Sequence, residues 1–227
     1  MTRPMATHPA YTNVIVIVAD DLGYGDLGCF GNRYLATPTL DRLAGEGVVF
    51  RQHYSASPLC GPARAAFLTG RYNHRTGALS VESNRGLDRI SLRETTVADL
   101  FRSAGYVTGM VGKWHNGLFD LTYHPNRRGF DEFAGFLNGG MDYYAWILDV
   151  NGRPRRSNGR YLTDVFTDEG VAFIERHRNE PFFLYMAYNA PHSPLQAPGP
   201  EIDVYRDIAR FNEGVCRLYA MIHRMDT

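Results

Sequence analysis

Residues 14–21 read Val-Ile-Val-Ile-Val-Ala-Asp-Asp, a β-branched run that ends in two carboxylates. A continuous run of this kind is typical of a parallel strand that is buried on both faces of a sheet. In open α/β sheets, functional side chains gather beyond the carboxyl ends of the strands. The stretch therefore predicts an α/β fold, with Asp20 and Asp21 at the edge where a site is expected.

Strand-like and helix-like patterns alternate along the rest of the chain. Thr96 and Asp99 resemble a capping box at the start of one helix, and Gly105 is a natural stop for it. The predicted strands cover residues 14–19, 48–54, 106–111 and 182–188, and the predicted helices cover residues 39–46, 64–68, 96–104, 164–177 and 208–225. Residues 123–160 are expected to form a long excursion with little regular core. The alternation predicts a mostly parallel sheet flanked by helices.

The composition excludes several classes of protein. The 227 residues include 24 basic and 24 acidic side chains, so the formal net charge is zero. No global charge favours a nucleic-acid or anionic-membrane partner. No apolar run approaches the roughly 20 residues that span a bilayer. Cys29, Cys60 and Cys216 are odd in number and far apart, so no disulfide framework is expected.

The first 13 residues are polar and interrupted by proline, and they contain no apolar stretch of the kind found in a secretory signal. The chain also has no Asn-x-Ser/Thr glycosylation acceptor. These features predict a cytoplasmic protein, or a periplasmic or secreted one if a leader has been removed.

Gly23, Gly25 and Gly28 match the dinucleotide-binding pattern G-x-G-x-x-G after a strand. The context argues against a dinucleotide, because Asp20 and Asp21 stand near the position of a pyrophosphate and would repel it. The simpler interpretation is that these glycines let the chain turn beneath the two carboxylates.

Asp20 and Asp21 are themselves candidates for metal binding. Two adjacent carboxylates repel each other unless a cation lies between them. Their hard oxygen atoms favour Ca²⁺ or Mg²⁺ over zinc. The alternative is a solvated turn with helix-capping aspartates.

Residues 58–70 read Pro-Leu-Cys-Gly-Pro-Ala-Arg-Ala-Ala-Phe-Leu-Thr-Gly. A thiol at a helix start with Arg64 nearby predicts an activated nucleophile at Cys60. The alternative is a small buried cysteine.

This stretch resembles the type I sulfatase signature C-x-P-x-R followed by Thr-Gly. Residues 105–115, Gly-Tyr-Val-Thr-Gly-Met-Val-Gly-Lys-Trp-His, look like a second motif of that family, and residues 190–194, Ala-Pro-His-Ser-Pro, look like its histidine loop. Residues 20–23 and 37–41 also look like its N-terminal part. The motifs keep the order of the family, and the resemblance runs from about residue 12 onward. It implies an alkaline-phosphatase-like α/β fold and hydrolysis of sulfate esters.

The resemblance implies that Cys60 is oxidised to formylglycine, with a formylglycine-generating enzyme as the partner. In the family, the hydrated aldehyde attacks sulfur through one hydroxyl and expels sulfate through the second, whereas a serine would remain a stable ester. Asp20, Asp21 and the nucleophile at position 60 are implied metal ligands, to Ca²⁺ or alternatively to Mg²⁺.

Four further site residues follow from the same resemblance. Arg64 matches the arginine that orients the diol, and Lys113 matches the lysine that binds sulfate oxygens. His115 matches the histidine that helps to remove the second proton. His192 matches the histidine that contacts the ester and protonates the leaving oxygen, which imidazole does well near neutral pH.

The length departs from the family pattern, because members usually run about twice as long or more. Residues 1–12 are interpreted as an N-terminal tail and residues 13–227 as an incomplete catalytic domain that ends before the C-terminal part. No Asp-Asn pair follows the last helix, so the implied metal site lacks ligands and impaired activity is expected.

The sequence leaves three functions open. A sulfated small molecule or glycan is the first substrate class, and a phosphomonoester or phosphonate monoester is the alternative. The third possibility is an inactive remnant of a sulfatase. The sequence does not decide the oligomeric state. Side chains that could line a substrate mouth, or equally belong to a solvated loop, are Arg127, Arg128, Tyr143, Tyr144, Arg155 and Arg156.

Overall fold

The computed structural model of the chain describes residues 12–208 and 210–227. These residues form strands β1 (Val14–Asp20), β2 (Val107–Lys113), β3 (Glu132–Phe136), β4 (Ile147–Val150), β5 (Arg153–Arg156) and β6 (Phe182–Pro191). The helices are α1 (Pro38–Glu46), α2 (Cys60–Thr69), α3 (Val97–Ser103), α4 (Leu162–His177), α5 (Gly199–Arg206) and α6 (Glu213–Asp226). Residues 1–11 of the predicted tail lie outside the described residues.

The six strands form one sheet in the order β1-β6-β2-β3-β4-β5. The pairs β1–β6, β6–β2 and β2–β3 are parallel, whereas β3–β4 and β4–β5 are antiparallel. The prediction of a mostly parallel α/β sheet is therefore confirmed. Because β1, β2 and β6 run the same way, their carboxyl ends meet at one edge of the sheet.

Both faces of the sheet are covered, which explains the long apolar runs in its strands. On one face, Phe183 and Tyr185 of β6 pack with Ala65 of α2 and with α3. On the other face, Leu184 packs with Phe166 of α4 and with α6. All ten residues of β6 are buried, so this strand is the centre of the fold.

Helix α3 begins as the sequence predicts. Thr96 Oγ1 accepts a hydrogen bond from the Asp99 backbone N–H at 3.1 Å, and the Thr96 N–H donates to Asp99 Oδ2 at 3.0 Å. This reciprocal pair satisfies two backbone N–H groups at the start of the helix, those of Thr96 and Asp99. None of the helices within residues 12–208 and 210–227 is long and apolar enough to cross a membrane.

The predicted strand over residues 48–54 is wrong. The segment has no regular secondary structure and is exposed, with Val48 at 80%, Phe50 at 73% and Tyr54 at 79% exposure. A β-branched and aromatic sequence favours a strand only where it packs against a neighbouring strand. No described strand pairs with this segment.

The sequence also misplaced two other regions. The excursion over residues 123–160 contributes β3, β4 and β5, and its Phe133 and Leu148 are buried in the core. The last predicted helix starts too early: α6 begins only at Glu213, because the Asn212 side chain accepts a hydrogen bond from the Val215 N–H and caps it.

Candidate active site

Three parallel strands deliver predicted site residues to the same edge of the sheet. Asp20 is the last residue of β1, and Lys113 is the last residue of β2. His192 follows directly after the end of β6. This is the edge at which ligands bind in open α/β sheets.

Asp20, Lys113 and Arg64 form a buried charged cluster. The Lys113 Nζ donates to Asp20 Oδ2 at 2.5 Å, and Arg64 Nη2 lies 3.6 Å from the same oxygen. Arg64 Nη1 also donates to the Lys113 carbonyl at 2.7 Å. All three side chains are almost fully buried, so each charge depends on its partners. The cluster holds two cations against one carboxylate, which favours an additional anionic group nearby.

Cys60 is the first residue of α2 and is half-buried. A helix start presents free N–H groups and a partial positive charge, which suits a nucleophile and an anionic substrate. Cys60 opens onto a cavity of about 480 Å³, which has room for a sulfate group and part of its ester. Four predicted site residues line this cavity: Cys60, Asp21, His115 and His192.

His115 lines the cavity, and its backbone is in the left-handed region at φ 52°. Its Nε2 is 3.3 Å from the Val81 carbonyl. Burial of the imidazole, with the Lys113 charge and the smaller effect of Arg64, lowers the pKa of His115 below its ordinary value. The ring is therefore neutral at pH 7 and able to accept a proton.

His192 is held in a turn by contacts to the main chain. Its Nδ1 lies 2.7 Å from the Ser193 carbonyl, so Nδ1 carries the hydrogen, while Nε2 lies 3.6 Å from Asp21 Oδ2. The buried Tyr143 hydroxyl is 2.9 Å from the carbonyls of both Asn189 and His192. Burial raises the pKa of Tyr143, so its hydroxyl stays a donor.

The sequence missed Tyr143 as a support for the His192 turn and treated it instead as a possible substrate-mouth residue. It also missed Gly139, which packs against the His115 ring: a Cβ at this position would lie 2.5 Å from His115 Cε1. The consecutive glycines 139 and 140 were the available signal, because a close approach to another group often requires glycine. Val81 and Ser83 also line the cavity, and they belong to no motif that the sequence analysis identified.

Two other candidate mouth residues have structural roles away from the cavity. Arg128 is buried and donates through Nη2 to the carbonyls of Ser91 and Glu94, at 3.2 Å and 3.0 Å. Arg155 forms an ion pair with Glu169 at 2.6 Å. The arginine-rich composition of residues 123–160 therefore does not translate into a basic wall around Cys60.

The donor set for a metal is partial. Asp20 and Asp21 supply hard carboxylate oxygens, and Asp21 lines the cavity with Cys60. Lys113 and Arg64 already engage Asp20 Oδ2. No group of three or more His, Cys, Asp or Glu side chains within the described residues is arranged to hold a metal ion. Calcium takes 6–8 oxygen ligands, so these residues fit only part of a calcium site.

The fold and the site together define an α/β protein in which a helix-start thiol and two histidines line one cavity, at the sheet edge where Lys113 and Arg64 form a buried cluster with Asp20. Residues 12–218 match the sulfatase family model. The chain therefore belongs to the sulfatase family, whose members generally use a formylglycine and a divalent cation.

Relatives with known names agree with this assignment. The chain is similar to arylsulfatase J of Mus musculus, with 37% identity over 94% of this chain and 38% of that protein. It is similar to N-acetylgalactosamine-6-sulfatase of Homo sapiens, with 36% identity over 85% of this chain and 42% of that protein. The crystal structure of Ps i-CgsB in complex with k-i-k-neocarrahexaose superposes with a TM-score of 0.89 at 36% identity, over 95% of this chain and 52% of that one.

The chain thus spans about two fifths of the length of these curated relatives and about half of that solved structure.

Proposed function

We propose that this chain carries the nucleophile and the oxyanion-binding residues of a sulfuric ester hydrolase. One observation supports the proposal above the others: Cys60, His115 and His192 line one cavity directly beside a buried cluster of two cations and one carboxylate. A thiol protein with no oxyanion chemistry has no need for a buried lysine and arginine at the same sheet edge.

Cys60 is the proposed precursor of formylglycine. Its hydrate would supply one hydroxyl that attacks sulfur as the ester alcohol leaves, and a second hydroxyl whose deprotonation would re-form the aldehyde and release sulfate. The half-buried position at the start of α2 exposes this residue to the substrate while the helix start favours the negative charge that develops. A formylglycine-generating enzyme is the proposed partner.

The surrounding side chains divide the remaining work. Lys113 and Arg64 bring positive charge to the sulfate oxygens and to the nucleophile. Asp20 holds Lys113, and Arg64 is held by Asp20 and by the Lys113 carbonyl. His115 is neutral at pH 7 and accepts the proton of the second hydroxyl as sulfate leaves. In its imidazolium form, His192 donates the Nε2 proton to the leaving oxygen and returns to the neutral ring with the hydrogen on Nδ1, which the Ser193 carbonyl holds.

Asp20 and Asp21 are the proposed ligands of Ca²⁺, with Mg²⁺ as the alternative, and the nucleophile at position 60 is the third. When bound, the cation lowers the pKa of the diol and polarises a sulfate oxygen. A thermal-shift titration with CaCl₂ and MgCl₂ tests this assignment without any turnover. Stabilisation by calcium that disappears in Asp21→Asn supports the site, whereas equal stabilisation of both proteins contradicts it.

The proposed substrate is a sulfated glycan or an aryl sulfate. The relatives named above include an arylsulfatase and an N-acetylgalactosamine-6-sulfatase, and the similar crystal structure holds a neocarrahexaose. The open cavity supports either class, since Val81, Ser83 and Gly139 contribute no charged side chain to its wall.

The decisive experiment combines mass spectrometry with turnover. The chain is co-expressed with a formylglycine-generating enzyme, and the mass of the peptide containing residue 60 is measured. Turnover is then compared for an aryl sulfate and the matching aryl phosphate. Conversion of Cys60 with faster sulfate hydrolysis supports the proposal, and faster phosphate hydrolysis favours the phosphoesterase alternative.

Cys60→Ala is expected to lower sulfate turnover by at least about 10³-fold, because the nucleophile is lost. Cys29→Ala is the matched control. Cys29 is also a half-buried free cysteine, but it lies outside the cavity. Full turnover in Cys60→Ala contradicts the assigned nucleophile. A converted Cys60 with no turnover on either ester supports the inactive remnant instead.

A further inference from the structure

Asn116, the residue after His115, is fully buried and belongs to no motif in the sequence. Its Nδ2 donates to two main-chain carbonyls, that of Gly61 at 2.9 Å and that of Asp88 at 3.1 Å. A single side-chain amide therefore joins three separate segments: the chain after β2, the first turn of α2 and the loop over residues 79–88.

These three segments are the ones that carry the cavity. The first turn of α2 contains Cys60, and the chain after β2 contains His115. The loop over residues 79–88 supplies Val81 and Ser83 to the cavity wall, and the Val81 carbonyl contacts the His115 ring. Asn116 lies where the nucleophile, a histidine and the cavity wall are joined.

The packing around Gly61 leaves little tolerance at this junction. A Cβ on Gly61 would lie 3.1 Å from the His115 carbonyl and 3.5 Å from the Ser80 carbonyl. The main chains of α2, the His115 segment and the loop are therefore in close contact. The loop is braced from within, because Ser83 Oγ donates to Asp88 Oδ2 at 2.6 Å.

We infer that Asn116 is a positioning residue that fixes Cys60 relative to His115 and the loop over residues 79–88. An asparagine suits this position because its amide nitrogen offers two donors to two carbonyls. Leucine of similar volume offers none, and aspartate would set a carboxylate against both carbonyls. The catalytic consequence rests on the function proposed above, but the positional consequence does not.

The test uses Asn116→Leu and Asn116→Asp. The matched controls are Asn126→Leu and Asn126→Asp, because Asn126 Nδ2 likewise donates to two carbonyls, those of Phe130 and Asp131, each at 3.2 Å. Asn126 lies near the start of β3, at the opposite edge of the sheet from Cys60.

The first readout is the rate at which iodoacetamide labels each cysteine of the unconverted, folded protein, measured by peptide mass spectrometry. Loss of two hydrogen bonds frees the first turn of α2, so Cys60 is expected to react about tenfold faster in both Asn116 variants. Cys29 and the buried Cys216 serve as internal references and are expected to keep their rates.

Two results overturn the inference. If all three cysteines accelerate together, Asn116 only stabilises the fold. If Cys60 keeps its rate in Asn116→Leu, or accelerates equally in the Asn126 variants, Asn116 does not position it. Labelling needs no turnover, so failure of the sulfatase proposal and failure of this inference are distinguished.

The second readout is kinetic and uses the converted protein. Misplacement of the nucleophile relative to His115 is expected to lower kcat about tenfold with little change in KM, since the cavity and its cations remain. A tenfold rise in KM, or an unchanged kcat, contradicts the positioning role.

Discussion

The two edges of the parallel sheet treat a histidine in opposite ways. At the carboxyl edge, His115 is buried beside Lys113, and its pKa is lowered. At the opposite edge, His177 ends α4 with its ring nitrogens 2.7 Å from Glu132 Oε1 and 2.7 Å from Glu180 Oε1. Burial opposes the charge on His177, but hydrogen bonds to Glu180 and Glu132 outweigh it and raise its pKa.

The difference shows what each edge is arranged to do. Both ring nitrogens of His177 have a carboxylate partner, so the charged imidazole is fully paired and stabilises the fold. His115 faces cations and is kept neutral, and its Nδ1 has no hydrogen-bond partner among the described residues. An arrangement that forgoes a favourable charge and leaves a polar atom unpaired is typical of a functional site rather than of a structural one.

The largest effect is expected from Lys113→Met, which removes the nearer of the two buried cations that contact Asp20. Asp20 keeps Arg64 at 3.6 Å but loses a buried charged hydrogen bond, so the free energy of unfolding should fall by about 2–3 kcal/mol. The pKa of His115 should also rise, because Lys113 lowers it more than any other charge does. Urea unfolding and an NMR titration of the histidines measure the two changes.

Arg102→Met is the control for Lys113→Met, since Arg102 pairs with Asp99 at the surface. Its effect on stability should be within about 1 kcal/mol. A similar loss in both variants would mean that the Lys113 cluster is no more than another surface ion pair.

A smaller effect is expected from Tyr143→Phe, which removes the hydroxyl beneath the His192 turn. Leaving the carbonyls of Asn189 and His192 without this donor should lower stability by about 1–2 kcal/mol. Turnover should fall several-fold because His192 is less well held. Tyr161→Phe is the matched control, because the buried Tyr161 hydroxyl donates to the Gln196 carbonyl at 2.8 Å. Comparable stability with unequal turnover in the two variants supports the role of Tyr143.

The smallest effect is expected from His177→Gln, and it depends on pH. The folded-state pKa of His177 lies above its unfolded value of about 6.5, so its stabilisation is fully present below pH 6.5 and is lost as pH rises through the folded pKa. The free energy of unfolding of the wild type should exceed that of the variant by about 0.5 kcal/mol at pH 6, and the difference should vanish at alkaline pH. Urea unfolding from pH 5.5 to 8.5 measures this, and a gap that grows with pH contradicts the paired imidazolium.

His115 contributes the opposite slope to the same curve. Its folded-state pKa is depressed, so the neutral ring costs nothing above pH 6.5, and folding is penalised as pH falls below that value. Subtracting the stability curve of His177→Gln from that of the wild type gives the contribution of His177 alone. The curve of the variant keeps the contribution of His115.

Much of this arrangement follows from local sequence. The run that ends at Asp20 and the one that ends at Lys113 are parallel strands, and parallel strands bring their ends together. The Thr96 capping box is equally local. The sequence could not predict the contact of Gly139 with His115 or the bonds of Asn116, because these depend on how loops distant in sequence pack. The strand predicted over residues 48–54 was wrong for a related reason, since strand propensity acts only where a neighbouring strand is available.

Lys113 has a consequence for the chemistry of the whole surface. It is the only lysine among the 227 residues, and the other 23 strongly basic side chains are arginines. The sole side-chain amine is therefore sealed inside the protein, and isotope-labelled lysine would give one resonance that reports on the site alone. Toward solvent, every permanent positive charge is a guanidinium, which keeps its charge across the accessible pH range and meets sulfate through two parallel N–H groups.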